Sequence, residues 1–251
     1  MSAKILNIVV PMAGLGSRFS KAGYELPKPL LDVHGSSMIE LVIKNLQPSC
    51  PHRFIFICQQ EHIKKFGLFE RLKSMSDNVE VIAIDSITDG AACTVLLAEN
   101  FINNENPLMI ANCDQYVTIL MDHYLTSMQN GAYDGYIMTM TADDPKWSYI
   151  GFDSNERINT VVEKKVVSSE ATVGIYNFKH GQDFVAAAHE MIDADDRVNG
   201  EFYVAPVYNY MIRSGANLGY LNIGSDPNGM YGLGTPEDLE YFNALKQLPS
   251  K

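Results

Sequence analysis

The chain has 251 residues, 46% of them apolar and 20% charged, with 30 acidic against 19 basic side chains and a formal charge of −11. That length supports one large α/β domain or two small ones, with a sizeable core either way. The acidity repels nucleic-acid backbones and anionic membrane surfaces over most of the molecule, which excludes a general nucleic-acid binder. The charge is uneven, however, because Lys4, Arg18, Lys21 and Lys28 face only Glu25 before position 31. A basic N-terminal loop on an acidic protein fits an anionic small molecule as ligand. Cys50, Cys58, Cys93 and Cys113 form no CxxC pair and no metal-ligand spacing. Reduced thiols, three of them in apolar runs, are expected, and with them a cytoplasmic location. No window approaches the ~18 apolar residues of a membrane span, so a mature soluble chain with no membrane partner is expected.

Short β-branched runs alternate with longer amphipathic ones. Strands are predicted at 5–12, 54–58, 79–84, 107–112 and 135–140, with helices at 37–46, 62–73, 91–101 and 119–130. This alternation is that of a doubly wound α/β sheet. From 147 onward the strand signals crowd together, at 148–153, 158–165 and 171–178, which predicts an antiparallel or mixed extension of the sheet. Helices at 181–192 and 202–214, a strand at 218–223, a glycine-rich loop and a helix at 236–247 complete the pattern. There is no linker, repeat or low-complexity run, and a single domain is expected.

The first predicted strand ends in Pro11-Met12-Ala13-Gly14-Leu15-Gly16-Ser17-Arg18-Phe19. Glycines after a first α/β strand let backbone N–H groups approach a phosphate, and an arginine beside them adds bidentate charge. The dinucleotide fingerprint would need a third glycine where Phe19 stands, and no Gly-Lys-Ser/Thr follows as in a P-loop. Instead the loop runs on to Leu26-Pro27-Lys28-Pro29-Leu30-Leu31, where two prolines are expected to hold Lys28 in extended backbone facing the glycine turn. Read on spacing alone, the segment is equally an ordinary turn with solvated cations.

These pieces, together with Gly35, Met38-Ile39-Glu40 and the late Gly234-Thr235-Pro236-Glu237-Asp238-Leu239, closely resemble the signature of the sugar nucleotidyltransferases, or nucleotide-sugar pyrophosphorylases. The resemblance implies a three-layer α/β/α Rossmann-like fold with a mixed, mostly parallel sheet, a nucleotide half over about 1–140 and an acceptor half over about 141–251. It implies attack by a phosphorylated acceptor, usually a sugar 1-phosphate, on the α-phosphorus of a nucleoside triphosphate with release of pyrophosphate. No enzyme nucleophile is needed, since catalysis is positioning plus neutralisation of phosphate charge.

Carried over residue by residue, Ala13, Gly14, Gly16 and Gly90 would cradle the nucleotide, Arg18 would hold the pyrophosphate and Lys28 the α-phosphate. Asp114, at the end of the predicted strand 107–112, would bind Mg²⁺, a hard ion suited to oxygen ligands and phosphates. Glu163 and Lys164 match the family pair that contacts a sugar hydroxyl and the acceptor phosphate, although strand periodicity puts them on opposite faces unless the chain bends there. Gly174 and Glu201 would border the acceptor. Three departures from the family stand out. Gly232 replaces the usual second metal carboxylate, leaving Asp226 or Glu201 to serve. Trp147-Ser148 replaces an acceptor-side Tyr-Gly. Asp85 stands where base-reading members use Gln, and a carboxylate suits the donor edges of guanine or cytosine, hence GTP or CTP.

The implied partners are thus a nucleoside triphosphate and a sugar 1-phosphate, the product serving surface polysaccharide synthesis. Alternatives are a cytidylyltransferase acting on a phosphorylated non-sugar such as phosphocholine, or a non-catalytic nucleotide-binding homologue. The chain has no heptads and no C-terminal hexapeptide repeat, so a homo-oligomer would leave no signature.

Overall fold

The β-branched run Leu6–Pro11 forms the first strand (β1), buried at five of its six positions, as befits a central parallel strand covered on both faces. The computed structural model describes residues 4–250. After β1 come helix Ser17–Lys21 (α1), a 3₁₀ turn Lys28–Leu30, the hairpin strands Asp32–Val33 (β2) and Ser36–Ser37 (β3), and helix Met38–Leu46 (α2). Strand His52–Gln59 (β4), helices Gln60–Phe66 (α3) and Leu68–Lys73 (α4), and strand Val79–Ile84 (β5) complete the first wing. Helices Ala91–Leu96 (α5) and Glu99–Ile102 (α6) return the chain to strand Leu108–Ala111 (β6), followed by strand Gln115–Val117 (β7), helix Met121–Asn130 (α7) and strand Gly135–Thr141 (β8). Then come strands Tyr149–Phe152 (β9), Ile158–Val162 (β10) and Glu170–Phe178 (β11), and helices Gly181–Asp193 (α8) and Val207–Arg213 (α9). Strands Leu218–Asn222 (β12) and Met230–Gly232 (β13) and helix Pro236–Asn243 (α10) follow.

Nine strands form one sheet, whose main run is β12-β8-β11-β6-β1-β4-β5, with β9 and β10 attached through β11. Strands β6, β1, β4 and β5 are mutually parallel. Strand β11 runs antiparallel to both β6 and β8, so the sheet is mixed, as the crowded strands of the second half predict. Alternation along β1 sends Ile8 and Val10 to one face, under α2, α4 and α7, and Val9 to the other, under α5, α8 and α9. Two core layers sandwich the sheet, giving the expected three-layer α/β/α architecture. Among the described residues, no helix is long and apolar enough to cross a membrane.

Several predicted helices are shorter or divided. Gly67, at φ 61°, splits the expected 62–73 helix into α3 and α4, because a left-handed residue ends one helix and starts the chain afresh. The expected 91–101 helix breaks at Leu97-Ala98. Helix α9 begins at Val207 rather than at 202, since the residues before it are stitched to the start of α5: Phe202 N–H donates to Asp89 O at 2.8 Å and Ala92 N–H donates to Phe202 O at 3.0 Å. The last helix stops at Asn243. Lys28 opens a 3₁₀ turn rather than lying extended, since the missing N–H of Pro29 costs nothing in a first turn. Cys58 and Cys113 are buried, Cys93 half-buried and Cys50 exposed, and all four are free.

Fully buried Asn45, on α2, accepts from Val117 N–H at 2.9 Å and donates to Val117 O at 2.8 Å, tying the helix to β7 just beyond Asp114. Asn45→Ala strands both Val117 groups in the core and should cost about 2–4 kcal/mol of stability. Urea denaturation measures it, and a loss within error of zero would remove the tie from the account.

Candidate active site

The chain winds outward from β1 through β4 to β5, then jumps back to β6 on the other side of β1. The loops leaving β1 and β6 therefore diverge at the carboxyl ends of the strands, which opens a crevice at this reversal. The glycine loop leaves β1 on one side and Asn112-Cys113-Asp114 leaves β6 on the other. Across the crevice Lys28 Nζ donates to Asp114 Oδ2 at 2.6 Å, both side chains being about one-fifth exposed. Burial alone would lower the Lys28 pKa, but the adjoining Asp114 carboxylate outweighs it and raises the value above that of a free lysine. Gly16, at φ +59°, brings the glycine loop against this lysine: a Cβ there would lie 3.4 Å from Lys28 Cβ. Gln59 Nε2 donates to Ala13 O at 2.7 Å and fixes the loop from β4.

Two cavities flank the ion pair. The first, about 340 Å³, is walled by Pro11, Ala13, Gly14 and Leu15 of the glycine loop, by Ile84, Ile87, Thr88, Gly90, Ala91 and Thr94 after β5, and by Asn112 and Glu201. Its jaw is apolar, with Leu15 and Ile87 well exposed and facing the opening. The Thr88 and Thr94 hydroxyls lie 2.6 Å apart, one donating to the other, and the second hydrogen is left for Gly90 O, which lies 3.0 Å from Thr88 and 3.1 Å from Thr94. Gly90 is obligatory: its φ is +126°, and a Cβ would lie 2.5 Å from Phe202 O and 2.6 Å from Phe202 N.

The second cavity, about 380 Å³, shares Ala91 and Asn112 with the first. Arg18, Asp114, Lys146, Trp147, Ser148, Glu163, Lys164, Gly174, Tyr176, Tyr203 and Asp238 are among its walls. Strand β10 ends at Val162 and Lys164 adopts φ +55°, so the chain bends and Glu163 and Lys164 face the same space. Glu163 is buried; desolvation raises its pKa although the Ser148 hydroxyl donates to it. Lys164 Nζ donates to Tyr203 OH at 2.6 Å, a bond that chiefly raises the lysine's pKa. Gly174, at φ +82°, interrupts β11 so that the Asn112 amide can lie against it, where any Cβ would collide. Cys113 is buried with its thiol pushed up to about 11, so it offers no thiolate nucleophile near neutral pH.

Most of the residues singled out in the sequence converge. Ala13, Gly14 and Gly90 wall the first cavity; Arg18, Asp114, Glu163, Lys164 and Gly174 wall the second; Gly16 and Lys28 line neither, but Lys28 is bonded to Asp114 and Gly16 packs against Lys28. Glu201 lies on the first cavity, not on the second as the resemblance implies. Asp85 is exposed at the end of β5 and is not among the wall residues, which begin with Ile84 and resume at Ile87. Asp226 lies beside Gly232, while its neighbour Asp238 reaches the wall: a Cβ on Gly232 would be 3.6 Å from Asp238 Oδ2 and 3.9 Å from Asp226 Oδ2. Partial desolvation and the Asp238 charge raise the Asp226 pKa. Sequence reasoning missed the Thr88–Thr94 pair and the Thr172–Tyr176 bond of 2.9 Å beneath the second cavity. Their partners are set by packing, and nothing in a local motif announces them.

Such a crevice, with a glycine loop, a lysine and a strand-end aspartate facing one another, defines a nucleotide-handling α/β protein. The family model for nucleotidyl transferases matches residues 8–222, and the chain belongs to that family. It is 25% identical over 178 residues, 70% of its own length, to the bifunctional protein GlmU of Methanococcus aeolicus, and this match spans 40% of that relative. Its fold is similar to that of the nucleoside-diphosphate-sugar pyrophosphorylase of Vibrio cholerae RC9, with a TM-score of 0.80 at 24% identity, covering 95% of this chain and 100% of the other. A Bacillus anthracis chain proposed to be a glucose-1-phosphate thymidylyltransferase, solved with sucrose, gives 0.77 at 21% identity with 98% of each chain covered.

Lys28→Ala and Asp114→Ala should each slow nucleotidyl transfer on the order of 100-fold or more. Steady-state pyrophosphate release measures this, and near-normal turnover in either variant refutes its role. A second expectation concerns Glu163, which binds its proton more tightly folded than unfolded. Its contribution to stability is therefore fully present below the ordinary glutamate pKa and lost as pH rises through the raised one. Glu163→Gln should flatten the stability curve across that window; an unchanged pH slope in denaturation titrations would contradict the shift.

Proposed function

We propose that the protein transfers a nucleotidyl group from a nucleoside triphosphate to a sugar 1-phosphate, forming a nucleotide sugar for surface polysaccharide synthesis in the cytoplasm. The observation that carries this reading is the wall shared by the two cavities, Ala91 and Asn112, with the Lys28–Asp114 pair beside it. A triphosphate entering from the glycine loop and a phosphate entering past Lys164 would meet there. One acceptor phosphate oxygen attacks the α-phosphorus, the bond to the bridging oxygen of the β-phosphate breaks, and that electron pair leaves with pyrophosphate. Lys28 would move from Asp114 toward the α-phosphate, Arg18 would neutralise the departing pyrophosphate, Lys164 would hold the acceptor phosphate, and Glu163 would accept from a sugar hydroxyl.

The acidic residues fit Mg²⁺. This ion needs only one or two carboxylates when phosphate oxygens and water complete its octahedron. Asp114 would supply the first, and Asp238, on the same wall beside Gly232 with Asp226 next to it, would supply a second. When bound, the ion would neutralise phosphate charge. The orientation of the acceptor is left to Glu163, Lys164, Trp147 and Tyr203.

The test is a screen of ATP, GTP, CTP, UTP and dTTP against glucose 1-phosphate, other sugar 1-phosphates and phosphocholine, with Mg²⁺ and a pyrophosphate readout. Release with a sugar 1-phosphate is expected. Release only with phosphocholine transfers the reading to a non-sugar acceptor, and silence with every pair makes the protein a nucleotide binder without this activity.

A further inference from the structure

Glu201 is the one carboxylate on the wall of the glycine-loop cavity, and the fold goes to some length to put it there. Asn199 and Gly200, at φ 50° and 82°, form a tight turn closed by Val198 N–H to Glu201 O and Glu201 N–H to Val198 O, each 3.0 Å. Positive φ at two successive turn residues is what Asn-Gly supplies at least cost. The next residue, Phe202, is bonded through its backbone to Asp89 and Ala92. Arg197 secures the turn from outside, with a nitrogen 3.2 Å from Asp89 Oδ2 and 3.2 Å from Gly200 O, and its guanidinium 4.2 Å over the Phe202 ring. The Glu201 side chain is exposed, and among the described residues no hydrogen bond or ion pair ties its carboxylate to the fold.

The surroundings restrict what this carboxylate can face. It repels phosphate, so the triphosphate cannot lie against it. The apolar residues Leu15, Ile84 and Ile87 of the same cavity suit the base instead. Along a nucleotide the ribose lies between base and α-phosphate, and Glu201 shares this cavity with Asn112, which also walls the second cavity together with Asp114. Its charge also reaches Glu163 and Lys164 of the second cavity. A carboxylate has two acceptor oxygens and no donor, matched to a vicinal diol.

We propose that Glu201 accepts hydrogen bonds from the ribose hydroxyls of the nucleoside triphosphate, and so makes the protein prefer ribonucleotides over their 2′-deoxy counterparts. The proposal rests on the nucleotidyl-transfer reading, but its test needs no acceptor and no turnover. Equilibrium binding of ATP, GTP, CTP and UTP and of each 2′-deoxy counterpart is measured by calorimetry on the full chain with Mg²⁺. The best-bound ribonucleotide should bind about tenfold or more tighter than its deoxy form, the weight of one hydrogen bond to a charged group. In Glu201→Ala the two should bind within about twofold of each other, and Glu201→Gln, which keeps one acceptor, should fall between. Thermal melts of both variants should match the parent, because the side chain holds nothing in the fold. A ribo-to-deoxy ratio that survives in Glu201→Ala overturns the proposal, as does a change in the ranking of bases at constant ratio, which would make Glu201 a base reader. Failure of every triphosphate to bind defeats the nucleotidyl-transfer reading instead.

Discussion

The reversal of strand order between β1 and β6 is the constraint on which the site depends. Neither strand can pair with the chain's next strand on the shared side, so their outgoing loops part and leave backbone N–H groups and side chains pointing into a gap. The first cavity and the ion pair are attached at that edge, through the glycine loop after β1, Asp114 after β6 and the Ile84–Gly90 segment at the end of β5. The antiparallel strand β11 then closes the far side of the gap, and Gly174 lets it bend around Asn112. The two cavities draw on both halves of the chain, the first mainly on residues before 115 and the second mainly on residues after 145, and share Ala91 and Asn112 as a wall. A sheet with unbroken strand order would offer no such meeting point.

Charge is managed differently on the two sides. Lys28 lies 2.6 Å from Asp114, so its partly buried charge, costly to desolvate, has a partner. On the proposed reading, entering phosphates would compete for that ammonium and leave the carboxylate to take a cation. On the acceptor side the groups are held by neutral hydroxyls instead, Glu163 by Ser148 and Lys164 by Tyr203. Such partners orient a charge without cancelling it, which suits groups that must still recognise a substrate. The acidic remainder of the surface acts at longer range by repelling larger polyanions, while the basic loop admits a small one.

The order of strands and helices in the first half was legible because each strand is a short apolar run and each helix carries a clear 3.6-residue stripe. Strand β5 begins and ends where its alternation does, at Val79 and Ile84. The helix breaks at Gly67 and Leu97 were not legible, since amphipathic periodicity continues through them while the backbone does not. The candidate site was legible where a motif compresses it into a few consecutive residues, as at Gly14, Gly16, Lys28 and Glu163. Glu201 and Asp85 show the limit of that reading. Each occupies a position with a role in related chains, but which cavity a side chain reaches is decided by long-range contacts, here the bonds from Phe202 to Asp89 and Ala92.

Those same bonds join the two functions of the crevice. Because Phe202 is stitched to Asp89 and Ala92, the wall of the first cavity and the wall of the second that carries Tyr203 are tied together. The collision that any Cβ on Gly90 would make with the Phe202 backbone shows how little room the stitch leaves. For an in-line transfer this coupling has a direct use, since the angle between attacking oxygen, phosphorus and leaving oxygen is set by the relative placement of two separately bound molecules. A strap fixed to both cavities holds that angle without any group bonding to the reacting atoms. On this view Arg197, exposed and remote from the chemistry, belongs to the geometry of the site as much as Lys164 does, because it clamps the turn from which the strap departs.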